Sequence, residues 1–306
     1  MNIAWQAEIT AADHRIGSHI RRTPVMQVDN LVPEIPVVLK LEHLQHTGSF
    51  KARGAFNSLL AADVPKAGIV AASGGNHGAA VAYAAKSLGH ECRIFIPETA
   101  SPAKIEMIRR YGVEPVIIDG VYADALNAAV AFEADHGAIS IHAYDDVATV
   151  CGQGTVLREW EAQGLEADTI LVAVGGGGLI AGALAWLEGR RKVVAVEPET
   201  ACALHAALAA RSQVEVAVSG VAASALGAGR VGDICFGLAR EQQIESIMVS
   251  DTAIIDAQRA LWQNLRLAVE PGGAATIAAL MTGAYSPQRG ESVAALICGA
   301  NVDIDF

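Results

Sequence analysis

The feature that most constrains this chain is an alternation. Short apolar runs, each of strand length, are separated by longer segments with helical patterning. The runs fall at residues 37–41, 68–72, 93–96, 116–118, 170–174, 193–196, 247–249 and 292–297. Strands joined through intervening helices pair in parallel, and parallel sheets need helices on both faces. The expected class is therefore α/β, with two open, mostly parallel twisted sheets flanked by helices. Local signals support the helices between the runs. One helix over 77–88 stops at Gly89, the residue type favoured for a left-handed C-cap. Ser101 and Pro102 offer an N-cap and a first-turn proline for another, which stops at Gly112. Further helices are expected over 123–134 and 251–265, and opening near Ser49, Leu179 and Ala201.

Residues 64–142 form a self-contained run of such units. The flanking segments, 1–63 and 143–306, read as parts of one larger sheet, so a small inserted domain should face a large one across a cleft. With 52% hydrophobic residues, 18% charged and 30 glycines in 306, the composition excludes disordered and fibrous classes. Lys plus Arg number 22 and Asp plus Glu 33, a net charge of −11. That field repels phosphodiesters and anionic lipid, so neither nucleic acid nor membrane is an expected partner. The five cysteines are scattered and contain no CxxC pair, which argues against a disulfide framework or a zinc site and for a reducing cytoplasm. The N-terminus lacks the apolar core of a secretion signal. Residues 169–187 carry no charge but hold five glycines, and read as strand, loop and helix rather than a membrane span.

Open parallel sheets bind ligands beyond the C-terminal ends of their strands, where glycine-rich turns lead into helix N-termini. Four places qualify. In LEHLQHTGSFKARGAF (41–56), Lys51 opens a helix directly after Phe50. Most lysines are solvated surface groups, but a helix N-terminus and a flanking aromatic both depress an amine pKa, as a nucleophile requires. In SGGNHG (73–78), three glycines let backbone amides approach an anion, although a plain tight turn is an equally good reading. In GGGG (175–178), four residues without side chains between a strand and a helix suit a loop wrapped on phosphate. That loop also admits a dinucleotide reading, in which Gly176, Gly178 and Ala181 fit G-x-G-x-x-A and Glu197 binds a ribose. An NAD-binding oxidoreductase would leave Lys51 and the 73–78 loop without a role. The fourth place is CGAN (298–301), closing the last strand; most cysteines there are plain buried residues.

Taken in order, these blocks resemble the fold-type II pyridoxal-phosphate enzymes, the serine/threonine dehydratase family of the tryptophan synthase β superfamily. HIRRTPV (19–25), IPETASPAK (96–104), GQGT (152–155), VEPE (196–199) and VEPGGAA (269–275) extend the resemblance over nearly the whole chain. It implies pyridoxal 5'-phosphate as cofactor, with Lys51 forming the internal aldimine, Phe50 packed on the ring and Asn76 bonded to the ring hydroxyl. It further implies that Gly175, Gly176, Gly177, Gly178 and Leu179 hold the phosphate and that Cys298 faces the pyridine nitrogen. Ser73, Gly74, Gly75, Asn76 and His77 would bind the substrate carboxylate.

The activity implied is α,β-elimination of water from L-threonine or L-serine, giving 2-oxobutyrate or pyruvate and ammonia. None of the four blocks offers an obvious carboxylic acid, so the leaving hydroxyl's proton is assigned to the cofactor phosphate. Within the family, phenylserine or 3-hydroxyaspartate dehydratase, serine racemase and β-replacement enzymes are the alternatives. Racemases of the group place a serine where this chain has Gly74, which disfavours racemisation. Relatives that bind a divalent cation use the spacing E-P-x-x-x-x-D, and Ala203 stands at the aspartate position after Glu197, so no strong metal site is expected. Residues 219–227 should line the substrate side chain, and a homodimer is expected by analogy.

Overall fold

The computed structural model describes residues 3–302. Its strands are β1 (Val25–Val32), β2 (Ile35–Lys40), β3 (Ile69–Ala72), β4 (Cys92–Pro97), β5 (Val116–Ile118), β6 (Ile139–Ser140), β7 (Thr169–Ala173), β8 (Lys192–Pro198), β9 (Glu245–Val249) and β10 (Val293–Leu296). They form one sheet in the order β1-β2-β10-β7-β8-β9 and a second in the order β5-β4-β3-β6. All neighbours are parallel except β1 and β2, an antiparallel pair at the edge of the larger sheet. The α/β class read from the alternation is the class observed.

The central strands explain why that alternation is legible. Every residue of β7 and of β10 is buried, so both faces must be apolar and the strands appear as unbroken hydrophobic runs. The uncharged segment resolves as β7, a glycine loop and the helix Gly178–Leu187. The larger sheet carries the main core, which runs from Val28 to Cys298. The core under the smaller sheet also takes Ile16, Ala52, Phe56 and Leu59, which lie outside residues 64–142.

Several elements carry no clear signal in the sequence pattern: β1, the two-residue β6, and the helices Trp5–Ile16, Val147–Ala162, Asp233–Glu241 and Pro271–Thr282. Asp29 and Asn30 break the apolar pattern of β1 and are exposed at the sheet edge. The helix Val147–Ala162 opens VATVCGQG, with β-branched residues and two glycines that oppose helix formation. Tertiary packing overrides that preference. Asp146 caps the helix by accepting from Thr149 N at 3.0 Å, and eleven of its residues are buried. Ser101 does precede a helix that opens with Pro102, but its side chain makes no capping bond.

The helix Val147–Ala162 holds its neighbours together. A Cβ at Gly152 would lie 2.6 Å from Arg53 O and 2.7 Å from Gly54 Cα, so the helix Lys51–Ala61 passes it at backbone contact. On its other side, a Cβ at Gly182 would lie 2.5 Å from Gly154 N. At these two points three helices are thus packed backbone against backbone. Gly152→Ala should cost about 1–3 kcal/mol, the usual penalty of overpacking, and urea unfolding will measure it as a lower midpoint with an unchanged slope.

Candidate active site

Lys51 is placed by strand pairing rather than by loop chance. Ser49 forms an antiparallel bridge with Gly299, and Phe50 N donates to Cys298 O at 3.2 Å. The first turn of the helix Lys51–Ala61 is therefore stapled to the segment that follows β10. Lys51 Nζ donates to Ala143 O at 2.6 Å and sits 5.2 Å from the centroid of the buried Phe50 ring. Burial lowers the amine from 10.5 to about 8, against the opposing pull of Cys298 and Glu270. An amine so placed is neutral in a substantial fraction near physiological pH, and neutrality is what lets it bond a carbonyl or take a proton.

The glycine loop lies beside it. Gly175, Gly176, Gly177, Gly178 and Leu179 line a small cavity together with Phe50, Lys51, Asn76 and Cys298. Gly177 has φ of 96°, a left-handed conformation that turns the chain directly into the helix Gly178–Leu187. Among the described residues no backbone carbonyl accepts from the amides of Gly176, Gly177, Gly178 or Leu179. Unpaired amides at a helix N-terminus form an anion cradle, which fits a phosphate group.

Ser73, Gly74, Gly75, Asn76 and His77 connect β3 to the helix Asn76–Leu88 and line a larger, open cavity of about 450 Å³ that also reaches Lys51. Its far wall is Ala223 to Gly229, overlapping the 219–227 stretch, with Tyr122, Tyr144 and Lys104. Ser73 Oγ is turned onto its own loop, accepting from Gly75 N at 3.3 Å. His77 bonds Ile141 O through Nε2 at 2.8 Å, and burial lowers its pKa to about 3, so the ring is neutral. A Cβ at Gly74 would meet Ile96 Cγ2 and Lys104 Cδ at 3.5 Å, ordinary contact distance. There is room for a side chain there, and the sequence supplies none.

Glu270 is the site residue that sequence reasoning missed. It lies in VEPGGAA, a block that carries the resemblance but no assigned role, and its only local signal is an acid placed just before a proline-opened helix. Its Oε1 accepts from Asn76 Nδ2 at 2.6 Å, while Asn76 Oδ1 accepts from Asn301 Nδ2 at 2.6 Å. Asn301 Nδ2 also reaches Thr47 O at 2.8 Å. Burial raises the Glu270 carboxyl to about 7 despite the bond from Asn76. Cys298 is buried beside it, and burial pushes its thiol up, so the group is neutral. A carboxylic acid is thus part of the site after all.

Glu197, which the dinucleotide reading needs as a ribose ligand, is fully buried and committed elsewhere. Its oxygens accept from Leu204 N at 2.8 Å, His205 N at 2.7 Å and Ser246 Oγ at 3.2 Å, capping the helix Ala203–Ala210. The dinucleotide reading loses its acid. Among the described residues no group of three or more His, Cys, Asp or Glu side chains is placed to hold a metal ion. No described helix is long and apolar enough to cross a membrane.

An amine and an anion cradle lining one cavity narrow the chemistry sharply, and comparison with known proteins decides it. The model of the pyridoxal-phosphate dependent enzyme family matches residues 16–299. The chain belongs to that family. A phenylserine dehydratase from Ralstonia pickettii is 36% identical, over 94% of this chain and 90% of that protein. An L-threonine ammonia-lyase from Geobacter sulfurreducens is 33% identical, over 97% of this chain and 75% of its own length. Among solved structures, maize serine racemase superposes with a TM-score of 0.92 at 34% identity, covering 98% of this chain and 94% of that one.

As a pyridoxal-phosphate dependent enzyme, the chain takes pyridoxal 5'-phosphate as its cofactor, and the unpaired amides and neutral-prone amine suit that group. The raised Glu270 carboxyl makes a measurable prediction for the apoprotein. Because the folded state holds this proton more tightly than the unfolded chain, wild-type stability falls as pH rises from about 4.5 to about 7. Glu270→Gln removes that loss. Thermal melts of the two apoproteins should coincide below pH 4.5, with the variant melting higher above pH 7.

Proposed function

We propose that this enzyme eliminates water from a small β-hydroxy amino acid, L-threonine or L-serine, with release of 2-oxobutyrate or pyruvate and ammonia. The observation that carries this reading is the asymmetry of the cleft. Lys51 supplies an amine, whereas Gly74, in the loop assigned to the substrate carboxylate, presents no side chain that could return a proton. One base is enough for elimination; racemisation needs two.

Bound in the cavity, pyridoxal phosphate supplies an electron sink for charge developing at the substrate α-carbon. The chain's own groups do the rest. The amides of Gly176, Gly177, Gly178 and Leu179 anchor the phosphate, and Phe50 walls the cavity that Lys51 enters. The loop Ser73–His77 receives the substrate carboxylate, which orients the α-hydrogen toward Lys51. Nζ takes that proton, acting as a base because burial leaves about half of it neutral near pH 8. Cys298, held as a thiol, offers no negative charge to a ring nitrogen. That restrains the sink and suits elimination over transamination.

Phenylserine and β-hydroxyaspartate are the substrates named for two similar dehydratases, and serine racemase names a different outcome. Steady-state release of 2-oxo acid from L-threonine, L-serine, phenylserine and 3-hydroxyaspartate tests the proposal directly. The expected result is the highest kcat/KM with threonine or serine, and no turnover by Lys51→Ala. Preference for either of the other two would overturn the substrate assignment. Gly74→Ser tests the asymmetry. A Cβ there meets only side-chain atoms at ordinary contact distance, so D-serine formation relative to pyruvate should rise by about 10²-fold, the lower range for a positioned acid or base. Chiral chromatography of the reaction mixture reads that ratio.

A further inference from the structure

The cleft accounts for Lys51 but not for what lies behind it. Opposite the amine, a cluster of four charges is buried at the root of the helix Lys51–Ala61. Arg53, Glu42 and Lys40 are fully buried and Glu159 nearly so. Arg53 Nε donates to Glu42 Oε2 at 2.8 Å and Nη2 to Glu42 Oε1 at 2.7 Å, a bidentate fork. Nη2 also reaches Glu159 Oε2 at 2.9 Å, and Nη1 reaches Thr155 Oγ1 at 3.2 Å. Lys40 Nζ closes the cluster on Glu159 Oε1 at 2.5 Å, Thr23 O at 2.9 Å and Gln163 Oε1 at 2.7 Å. The two cations and two carboxylates balance.

Buried ion pairs are poor stabilisers, because desolvation offsets most of their attraction; their best attested use is to fix one geometry among several. The elements joined here suggest which geometry. Lys40 ends β2, Glu42 belongs to the turn that follows it, and Glu159 and Thr155 lie on the helix Val147–Ala162. Arg53 is two residues after Lys51, about 200° around the same helical turn, so it points away from the cleft while Lys51 points into it. The backbone contacts at Cys298, Gly299 and Gly152 hold one side of that turn, and the fork restrains its rotation about its own axis from the other. With side-chain ends about 5–6 Å from the axis, a rotation of about 10° displaces Nζ by about 1 Å.

We propose that Arg53 is a positioning residue, whose fork onto Glu42 and Glu159 aims the Lys51 amine across the cleft at the reacting atoms. The inference rests on the reading of Lys51 as the amine that carries the cofactor. It goes beyond that reading by assigning a task to charges that touch neither cofactor nor substrate.

Three full-length variants test it: Arg53→Lys, Glu159→Gln, and the double variant Arg53→Met with Glu42→Met. Apolar replacement of a whole buried pair is often neutral or stabilising, so the double variant should melt near the wild type. Lysine keeps the charge but loses the fork. Each variant that folds, by circular dichroism and cooperative melting, is read in two ways. One is kcat against KM. The other is the pH midpoint at which the Lys51 amine of the apoprotein reacts with trinitrobenzenesulfonate. The groups facing Lys51 are Cys298 and Glu270, with His77 and His142 near enough to feel its charge, and all are unchanged in these variants.

In the folded variants kcat should fall on the order of 100-fold, the penalty typical of an error of about 1 Å, with KM moving by less than about threefold. The Lys51 midpoint should rise from about 8 toward 10.5 as the misaimed amine meets water. Folded variants with wild-type kcat and midpoint would overturn the proposal, and so would a set in which every variant unfolds, since the cluster would then be a stabiliser only. Borohydride trapping of the wild-type holoenzyme separates the two levels. Attachment at another lysine would remove the reading of Lys51 and this inference with it; attachment at Lys51 with unmoved variants would overturn the positioning role alone.

Discussion

The structure depends on keeping one amine dry. Water would hold Lys51 as an ammonium through the physiological range, and an ammonium can neither bond a carbonyl nor accept a proton. Desolvation brings it down to about 8 even though the Ala143 carbonyl accepts from it, and the surroundings are consistent with that requirement. His77 is neutral beside it, so the cleft adds no charge from that side. Glu270 and Cys298 pull the amine the other way, but burial raises both groups and weakens the pull by holding them protonated more readily. Desolvation acts on the acid and the base alike, narrowing the gap between a carboxyl and an amine that differ by about six units in water. A site tuned this way can move protons with little energy change.

What the sequence makes legible is whatever has one-dimensional periodicity. β7 and β10 are buried on both faces, so their apolar runs are unbroken and the class can be read directly. The glycine loop is legible for a related reason: four consecutive residues without side chains are costly to order, and the cost is tolerated where a ligand must come up against the main chain. Lys51 stands out through its neighbours Phe50 and Gly48. By contrast, β1 is an edge strand whose exposed polar residues erase the pattern, and β6 is two residues long. The helix Val147–Ala162 is illegible because its glycines answer to partners distant in sequence. GQGT takes part in the resemblance, but its physical reason, contact with the backbone of two other helices, exists only in three dimensions.

Glu270 illustrates the limit for chemistry. An acid that precedes a proline and two glycines looks like an ordinary helix start, and nothing in its own segment says that it is buried. Its meaning comes from Asn76, 194 residues away, and through Asn76 from Asn301. Glu197 is the opposite case. Its spacing after the glycine loop suggests a ligand, whereas the fold spends both of its oxygens on a helix end. Spacing along a chain can nominate a carboxylate, but only its hydrogen-bond partners show whether it is free to act.

The helix Val147–Ala162 touches the Lys51 helix at Gly152 and the helix of the anion cradle at Gly182, in both cases backbone against backbone. The spacing of the three helices at these two points is therefore gauged by main-chain thickness. Rotamer hopping, which blurs most side-chain contacts on the nanosecond scale, has no purchase on such a gauge. The amine can turn with its side chain, but the helices that carry it and the cradle keep their distance.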